Sequence, residues 1–308
     1  MKKSNKPLII GSIAFDIIFS IRTDFREAIP LENGKIEHFN ASYTAQNPHQ
    51  RFGGNGGNVG YWLSTLQTPF HLLSSFGKDL HASGYYDRLV KMGGDVRGIE
   101  EDYTAMAYMI SDPLNQQCII WQPNAWEQIT NDQYQISNFY DAKEIQSIDY
   151  ALLSVLPPGV ATKLARELKQ INPSITIILD TGQVTTLYDL KSLERCLRYV
   201  DILTCNEVEY LHFGKAYHRL MQKSPWEEGQ VPLIHTLGSD GCRLVENGVE
   251  THFHAYPCQK AIEPTGAGDA FRAGILAGLC EGKSLSESIP LGLTLGAQCV
   301  EIVGPQGD

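Results

Sequence analysis

Apolar residues recur along this chain with two different periods. Residues 8–14 form a short continuous apolar run, the pattern of a buried strand, closed by Gly11-Ser12 and followed by Asp16. Residues 17–23 and 35–45 instead alternate apolar and polar side chains, as in a sheet with one open face, and Asn33-Gly34 between them is a hairpin-turn signal. A second patch of this kind spans 105–121, where Asp112-Pro113-Leu114-Asn115 is the turn between two β-rich stretches. Elsewhere, short apolar runs take turns with segments of helical period. The pattern predicts helices over 58–66, 84–92, 160–170, 190–199 and 267–280, and strands over 71–75, 151–156, 175–179, 202–204 and 232–236.

Strands separated by helices of this length imply βαβ units, hence an α/β fold whose mostly parallel central sheet is covered on both faces. The two alternating patches, at about 17–50 and 103–125, interrupt that order. They predict a small β-sheet built from two insertions, placed as a lid over the carboxyl edge of the main sheet. With no internal repeat or long linker, residues 1–308 are expected to form a single domain that includes this discontinuous lid.

Charge narrows the partners. A formal net charge of −10 excludes general affinity for nucleic acid or an anionic membrane, yet leaves room for a nucleotide held by a few local amides and cations. The seven cysteines are scattered without a CxxC pair, which points to reduced thiols in a cytoplasm and away from a disulfide framework or zinc site. The basic start, Met-Lys-Lys-Ser-Asn-Lys, leads into an apolar run too short for a signal peptide. No stretch approaches the roughly 18 apolar residues that span a bilayer, so the expectation is a soluble cytoplasmic protein.

The chemistry concentrates in a few segments. Thr265-Gly266-Ala267-Gly268-Asp269-Ala270-Phe271 stands at the start of the last predicted helix. Its glycines let bare N–H groups approach a ligand, and a helix start favours negative charge. That suits an anion hole for a phosphate gaining charge during transfer, with Asp269 as general base for an alcohol. An acid in a first helical turn is also ordinary capping chemistry. Gly53-Gly54-Asn55-Gly56-Gly57-Asn58 is neither a dinucleotide fingerprint, because Val59 stands where the third glycine belongs, nor a Walker A loop. It suits close approach to a polyhydroxylated ligand, or a plain turn. Asp16, after the first strand, can accept two hydrogen bonds from a vicinal diol. Asn206 and Glu209 follow another strand and can hold phosphate-bound water and Mg²⁺, and Thr236-Leu237-Gly238-Ser239-Asp240-Gly241 offers a glycine turn with hydroxyls for ATP phosphates or ribose. His252 and His254 share a strand face, but a metal pair there lacks a nearby third ligand.

These elements, in this order, resemble the ribokinase-like sugar and nucleoside kinases, the PfkB family, over nearly the whole chain. Glu263-Pro264-Thr265-Gly266-Ala267-Gly268-Asp269-Ala270-Phe271 is similar to the family's C-terminal signature, and the segment from Gly53 to Asn58 to its N-terminal one. The resemblance implies a ribokinase-like three-layer sandwich. It implies Asp269 as the base, with Gly266, Ala267 and Gly268 forming the anion hole. Asp16, Gly53, Gly54 and Asn58 then lie at the substrate, Asn206 and Glu209 serve Mg·ATP, with Glu209 reaching the metal through water, and Thr236, Gly238, Gly241 and Thr265 lie along the nucleotide. A monovalent cation is allowed beside ATP and Mg²⁺.

Finer features resemble the bacterial and archaeal adenosine and nucleoside kinase branch: Asp180-Thr181-Gly182-Gln183, and the lid segment from Asn115 to Ala125, where Trp121 can stack on a purine. Three positions depart from it. Glu263 replaces an Asp, Asn124 a Gly and Thr181 a Pro. The resemblance thus implies γ-phosphoryl transfer from ATP to a primary hydroxyl of a ribose-containing molecule, the 5′-hydroxyl of adenosine or a related nucleoside. The alternatives are a sugar kinase for ribose, fructose or a hexose phosphate, and a catalytically silent nucleoside- or sugar-binding protein. The assembly expected is a monomer or a homodimer paired through the lid.

Overall fold

The structure, a computed structural model, describes residues 6–28, 41–114, 116–131, 134–221 and 231–307. The expected turn at Asn33-Gly34 and position Asn115 lie outside the described residues.

The central sheet has the order β13-β12-β11-β10-β9-β8-β1-β4-β5 among the described residues, where β1 is Leu8–Ile10, β4 Phe70–Gly77, β5 Gly94–Glu101, β8 Tyr150–Ser154, β9 Thr176–Asp180, β10 Ile202–Asn206, β11 Leu233–Thr236, β12 Cys242–Glu246 and β13 Val249–Phe253. Every pairing from β11 to β5 is parallel; the β11–β12 and β12–β13 pairings are antiparallel. Successive strand residues feed opposite cores, as the pleat requires: Leu8 and Ile10 face one, Ile9 the other. The first core is capped by α5 (Pro158–Ile171), α6 (Leu190–Leu197) and α7 (Glu207–Met221), the second by α1 (Asn55–Thr65), α3 (Tyr85–Lys91), α8 (Ala267–Cys280) and α9 (Leu285–Val300). This is the expected three-layer α/β sandwich.

The second sheet, of order β3-β2-β6-β7, is made by the two alternating patches: β2 is Ala14–Ile21, β3 Ala45–Gly53, β6 Ala105–Ser111 and β7 Gln117–Gln122. Asp112 makes the expected turn between β6 and β7 by accepting hydrogen bonds from the amides of Leu114 and Gln116, both at 2.9 Å.

Three expectations need correction. The apolar run 8–14 is two strands, because the chain leaves the central sheet at Gly11, where a side chain would lie 3.0 Å from the Gly56 Cα. The helix expected from residue 58 begins at Asn55, so Asn55 to Asn58 form a helical turn and not an open loop. And the pattern does not predict β5, β12, α7 or α9, whereas β13 is the strand expected around His252 and ends just before His254. Asn247 (φ 53°) and Gly248 (φ 76°) turn the chain from β12 to β13, an Asn-Gly hairpin signal of the kind read at residues 33–34.

Candidate functional site

The order of the central sheet reverses at β1: later strands add outward through β4 on one side and through β8 to β11 on the other. At such a switch point the loops leaving adjacent carboxyl ends diverge and open a crevice. Ser12 follows β1, while Ser154, Asp180, Asn206 and Thr236 end β8, β9, β10 and β11.

Into this edge points the start of α8. Gly266 takes the N-cap position at φ 85°, a left-handed conformation that favours glycine, and no side chain caps the helix. The Ala267 amide donates to the Pro264 carbonyl and that of Ala270 to Gly266, but the amides of Gly268 and Asp269 have no partner among the described residues. Thr265 lies just ahead, its carbonyl facing the Cys299 thiol at 3.5 Å. Asp269 is 8% exposed. One carboxylate oxygen accepts from Asn58 Nδ2 at 2.8 Å and the other from Arg272 Nη2 at 2.7 Å. Burial pushes its pKa up, against the pull of Arg272 and the Asn58 hydrogen bond.

Asp16 lies within β2, not in a loop after the first strand, and its carboxylate rests against the Cα of Gly53, where no side chain would fit. That carboxylate is buried and has no hydrogen-bond partner among the described residues. Burial first, then the charges of Asp269 and Glu263, raise its pKa to about 7, with Arg51 opposing them. Arg51, paired with Asp16 across the ladder, donates to Glu263 at 3.1 Å, and Glu263 also accepts the Gly304 amide at 3.0 Å. Asp16 pairs with Ala107 and Ala107 with Trp121, so Asp16 and the exposed Trp121 share one face of the small sheet, two strands apart. Gly54 (φ 81°) begins α1, and Asn58 one turn on reaches Asp269. Asn124, which stands where the resemblance expects glycine, adopts φ 45° and donates to the Thr104 carbonyl at 2.9 Å. Asparagine tolerates this conformation better than most residues, so the departure keeps the backbone.

On the other side, Asn206 and Glu209 cap each other. The Glu209 carboxylate accepts the Asn206 amide and Nδ2 at 3.0 and 2.8 Å, and Asn206 Oδ1 accepts the Glu209 amide at 2.9 Å. Burial and the nearby Asp180 raise the Glu209 pKa to about 7. Thr236 ends β11 and donates to the Cys205 carbonyl, while Gly238 (φ 57°) and Gly241 (φ 92°) shape the next turn. Beside it a cleft of about 400 Å³ is lined by Leu237, Ser239, Asp240, Arg243, His252 and His254. The His252 ring donates to the Asp240 carbonyl at 2.9 Å. Among the described residues no three His, Cys, Asp or Glu side chains gather to hold a metal.

The structure therefore brings Asp269, Gly266 to Gly268, Asn58, Asp16 and Gly53 together. Thr236, Gly238 and Gly241 lie farther along the same edge with no side-chain link to Asp269 among the described residues, and Trp121 is displaced by two strands. It also adds residues to which the sequence reading assigned no role: Ser12, Asn55, Ser154, Asp180, Arg272 and Gln306. Gln306 donates from Nε2 to Asn58 Oδ1 at 3.0 Å and to the Tyr85 hydroxyl at 2.6 Å, which orients the Asn58 amide toward Asp269.

Comparison with known proteins agrees with this fold. The sequence model described as "pfkB family carbohydrate kinase" matches residues 26–308. The nucleoside kinase of Methanocaldococcus jannaschii is 24% identical over 310 residues, covering 99% of this chain and 93% of its own, and its structure superposes with a TM-score of 0.80. The structure of Burkholderia thailandensis nucleoside kinase in complex with inosine is 27% identical, with a TM-score of 0.75 over 97% of this chain and 92% of that one. Arabidopsis thaliana ribokinase, solved with ribose and ATP, has a TM-score of 0.74 at 23% identity, covering 99% of this chain and 96% of its own. No helix among the described residues is long and apolar enough to cross a membrane.

Proposed function

This chain belongs to the pfkB family of carbohydrate kinases and is an ATP-dependent phosphotransferase acting on a sugar or nucleoside; from that premise we propose that its acceptor is the 5′-hydroxyl of adenosine or a related nucleoside. The observation that carries the chemistry is Asp269, nearly buried, held at both oxygens, and set in the same helical turn as two amides without a partner among the described residues. Asp269 takes the hydroxyl proton as the oxygen attacks the γ-phosphorus. The Gly268 and Asp269 amides, at the positive end of α8, receive the charge that builds on the phosphoryl group.

Asp16 and Asn58 hold the ribose hydroxyls. Trp121, on the same face as Asp16, offers a surface for the base, and the small sheet acts as a lid that excludes water. A nucleoside fits better than a phosphorylated sugar because the group facing the acceptor space is a carboxylate, while the neighbouring Arg51 is engaged with Glu263. The inosine complex of the Burkholderia relative points the same way. Thr236, Gly238 and Gly241 line the path of the nucleotide. Mg²⁺, which neutralises the phosphates when bound, fits a site with one buried acid, Glu209, reaching it through water, since this ion keeps several waters and binds largely to phosphate oxygens.

The test is ATP consumption with adenosine, inosine, other nucleosides, ribose and fructose 6-phosphate as acceptors. Turnover with a nucleoside at least about tenfold above that with any free sugar is expected from the added stacking and hydroxyl contacts. Turnover with a sugar alone would replace the nucleoside reading.

A further inference from the structure

Arg272 lies one helical turn beyond Asp269 and outside the glycine-and-acid motif. Its guanidinium donates from Nη2 to Asp269 Oδ1 at 2.7 Å, and its Nε forms an ion pair with Asp180 Oδ2 at 3.2 Å without hydrogen-bond geometry. Asp180 is fully buried at the end of β9 and has one oxygen without a partner among the described residues. The other accepts the Ser154 hydroxyl at 2.7 Å; Ser154 in turn accepts Asn55 Nδ2 at 2.6 Å, and Asn55 Oδ1 accepts the Ser12 amide at 2.8 Å. Asn55 and Asn58 share the first turn of α1, and Asn58 donates to Asp269. The contacts therefore close into a ring: α1 to β8 to β9 to α8, and back to α1.

We propose that Arg272, clamped by Asp180, is a positioning residue for the Asp269 carboxylate, and that the Asp180–Arg272 arm fixes the orientation in which the base meets the acceptor hydroxyl. This rests on the kinase reading given above. A carboxylate held by Asn58 alone can still rotate about its last bond. A second contact on the opposite oxygen stops that rotation. The extended guanidinium reaches two carboxylates at once, by a hydrogen bond to Asp269 and an ion pair with Asp180, which the compact charge of an ammonium does less well. Space supports the same assignment: a methyl at Gly268 would lie 3.3 and 3.4 Å from the two terminal guanidinium nitrogens, so the anion-hole turn is shaped around Arg272.

Charge gives it a second task. Arg272 is surrounded by Asp269, Asp180 and Glu209, and Asp269 also feels Asp180. Across the crevice, Asp16 and Glu263 are acidic and Arg51 is the opposing cation. Arg272 is the cation that contacts Asp269 directly, so its loss favours the protonated, inactive carboxyl.

The test compares Arg272→Met, Arg272→Lys and Asp180→Asn with the unmodified enzyme, each assayed well below its own melting temperature. Arg272→Met is expected to lower kcat about 100-fold, the size of a displaced general base, with KM for ATP and nucleoside within about threefold. Its acid limb in the kcat profile should move up by at least about one pH unit, the effect of removing an adjacent Arg from an Asp. Arg272→Lys should restore most of that limb while kcat stays about tenfold low, because charge returns without the fork. Asp180→Asn should lower kcat and move the limb slightly down, opposite to Arg272→Met, because the Asp180 charge raises the Asp269 pKa. A purely structural Arg272 would lower the melting temperature in all three and leave the kcat profile unmoved, and that result overturns the proposal. Titration of the ¹³C-labelled Asp269 carboxyl by NMR, without substrate, reads the clamp directly. An unshifted midpoint in Arg272→Met refutes it even if no acceptor is ever phosphorylated, whereas a shifted midpoint in an enzyme that phosphorylates nothing refutes only the kinase reading.

Discussion

At the start of α1, the amides of Gly56 and Gly57 both donate to the Ser12 carbonyl, at 2.9 and 3.2 Å. At the start of α8, the amides of Gly268 and Asp269 have no partner among the described residues. Both helices open on a glycine with positive φ, 81° and 85°, and neither has a side-chain cap. The glycines of α1 serve close packing: a side chain at Gly56 would meet the Gly11 backbone, at Gly57 the Tyr85 hydroxyl, and at Gly60 the Phe70 ring. With its backbone donors spent, α1 works through the side chains of Asn55 and Asn58. At α8 the donors themselves are left for a ligand. One composition thus yields a packing device in one place and, in the function proposed, an anion receptor in the other, and the difference lies in what the neighbouring carbonyl does.

The largest expected effect lies on the α8 side. Asp269→Asn keeps the shape and removes the base, so kcat should fall by about three orders of magnitude while the dissociation constant for ATP, measured calorimetrically, stays close to that of the parent. Near-normal turnover would mean that α8 holds phosphate without a base beside it.

A matched pair of glycine substitutions sharpens the contrast. Gly57→Ala drives a methyl into the buried Tyr85 hydroxyl, so urea denaturation should show a loss of about 1–3 kcal/mol. Gly268→Ala asks Arg272 to move only a few tenths of an ångström, and alanine suits a helix better than glycine, so stability should change by less than about 1 kcal/mol. Its cost should appear in kcat, by about tenfold, through the displaced phosphoryl contacts. If both variants lost stability and neither lost rate, the two helix starts would be equivalent.

The smallest effect concerns pH. Asp16 titrates at about 7 in the folded chain, above its value in the unfolded one. The folded state therefore holds a proton that the unfolded state has released, and stability falls as pH rises from about 4 to about 7. Asp16→Asn removes that loss. Its melting temperature should match the parent's at pH 4 and exceed it at pH 8 by an amount equivalent to about 1–2 kcal/mol, even as KM for the nucleoside rises. A melting difference independent of pH would place the burial cost elsewhere.

Much of this was legible in the residues. Buried parallel strands are continuous apolar runs, so β4, β8, β9, β10 and β11 stand out, and alternation marks β2, β6 and β7, whereas β3 begins only at Ala45, where the alternation read over 35–45 ends. Helix α9 was hidden because it is apolar on most sides and carries Pro290 and Gly292 in its interior, where Gly274 of α8 packs against the Gly292 backbone. In the site, acids beside glycines announce themselves. The ring through Ser154 and Asp180 does not, because Asn55 and Ser154 are 99 residues apart and only the strand order makes them neighbours. Arg272 was in view at helical spacing from Asp269, but nothing local says that its second partner comes from β9.

Gly11 to Ile13 carry the chain from β1 into β2, and it returns through Gly53 and Gly54 into α1, with the Ser12 carbonyl stitched to that return. The small sheet is thus joined to the central one through these two crossings, with further links where β5 passes into β6 and where the chain leaves β7, and Asp16 sits a few residues beyond the first. In the function proposed, a pivot of that sheet would swing the Asp16 carboxylate with it, as a handle moves with its door. A molecule that Asp16 could not grip would then have no purchase on the sheet that covers it, and selection of the acceptor and closure over it would become a single mechanical act.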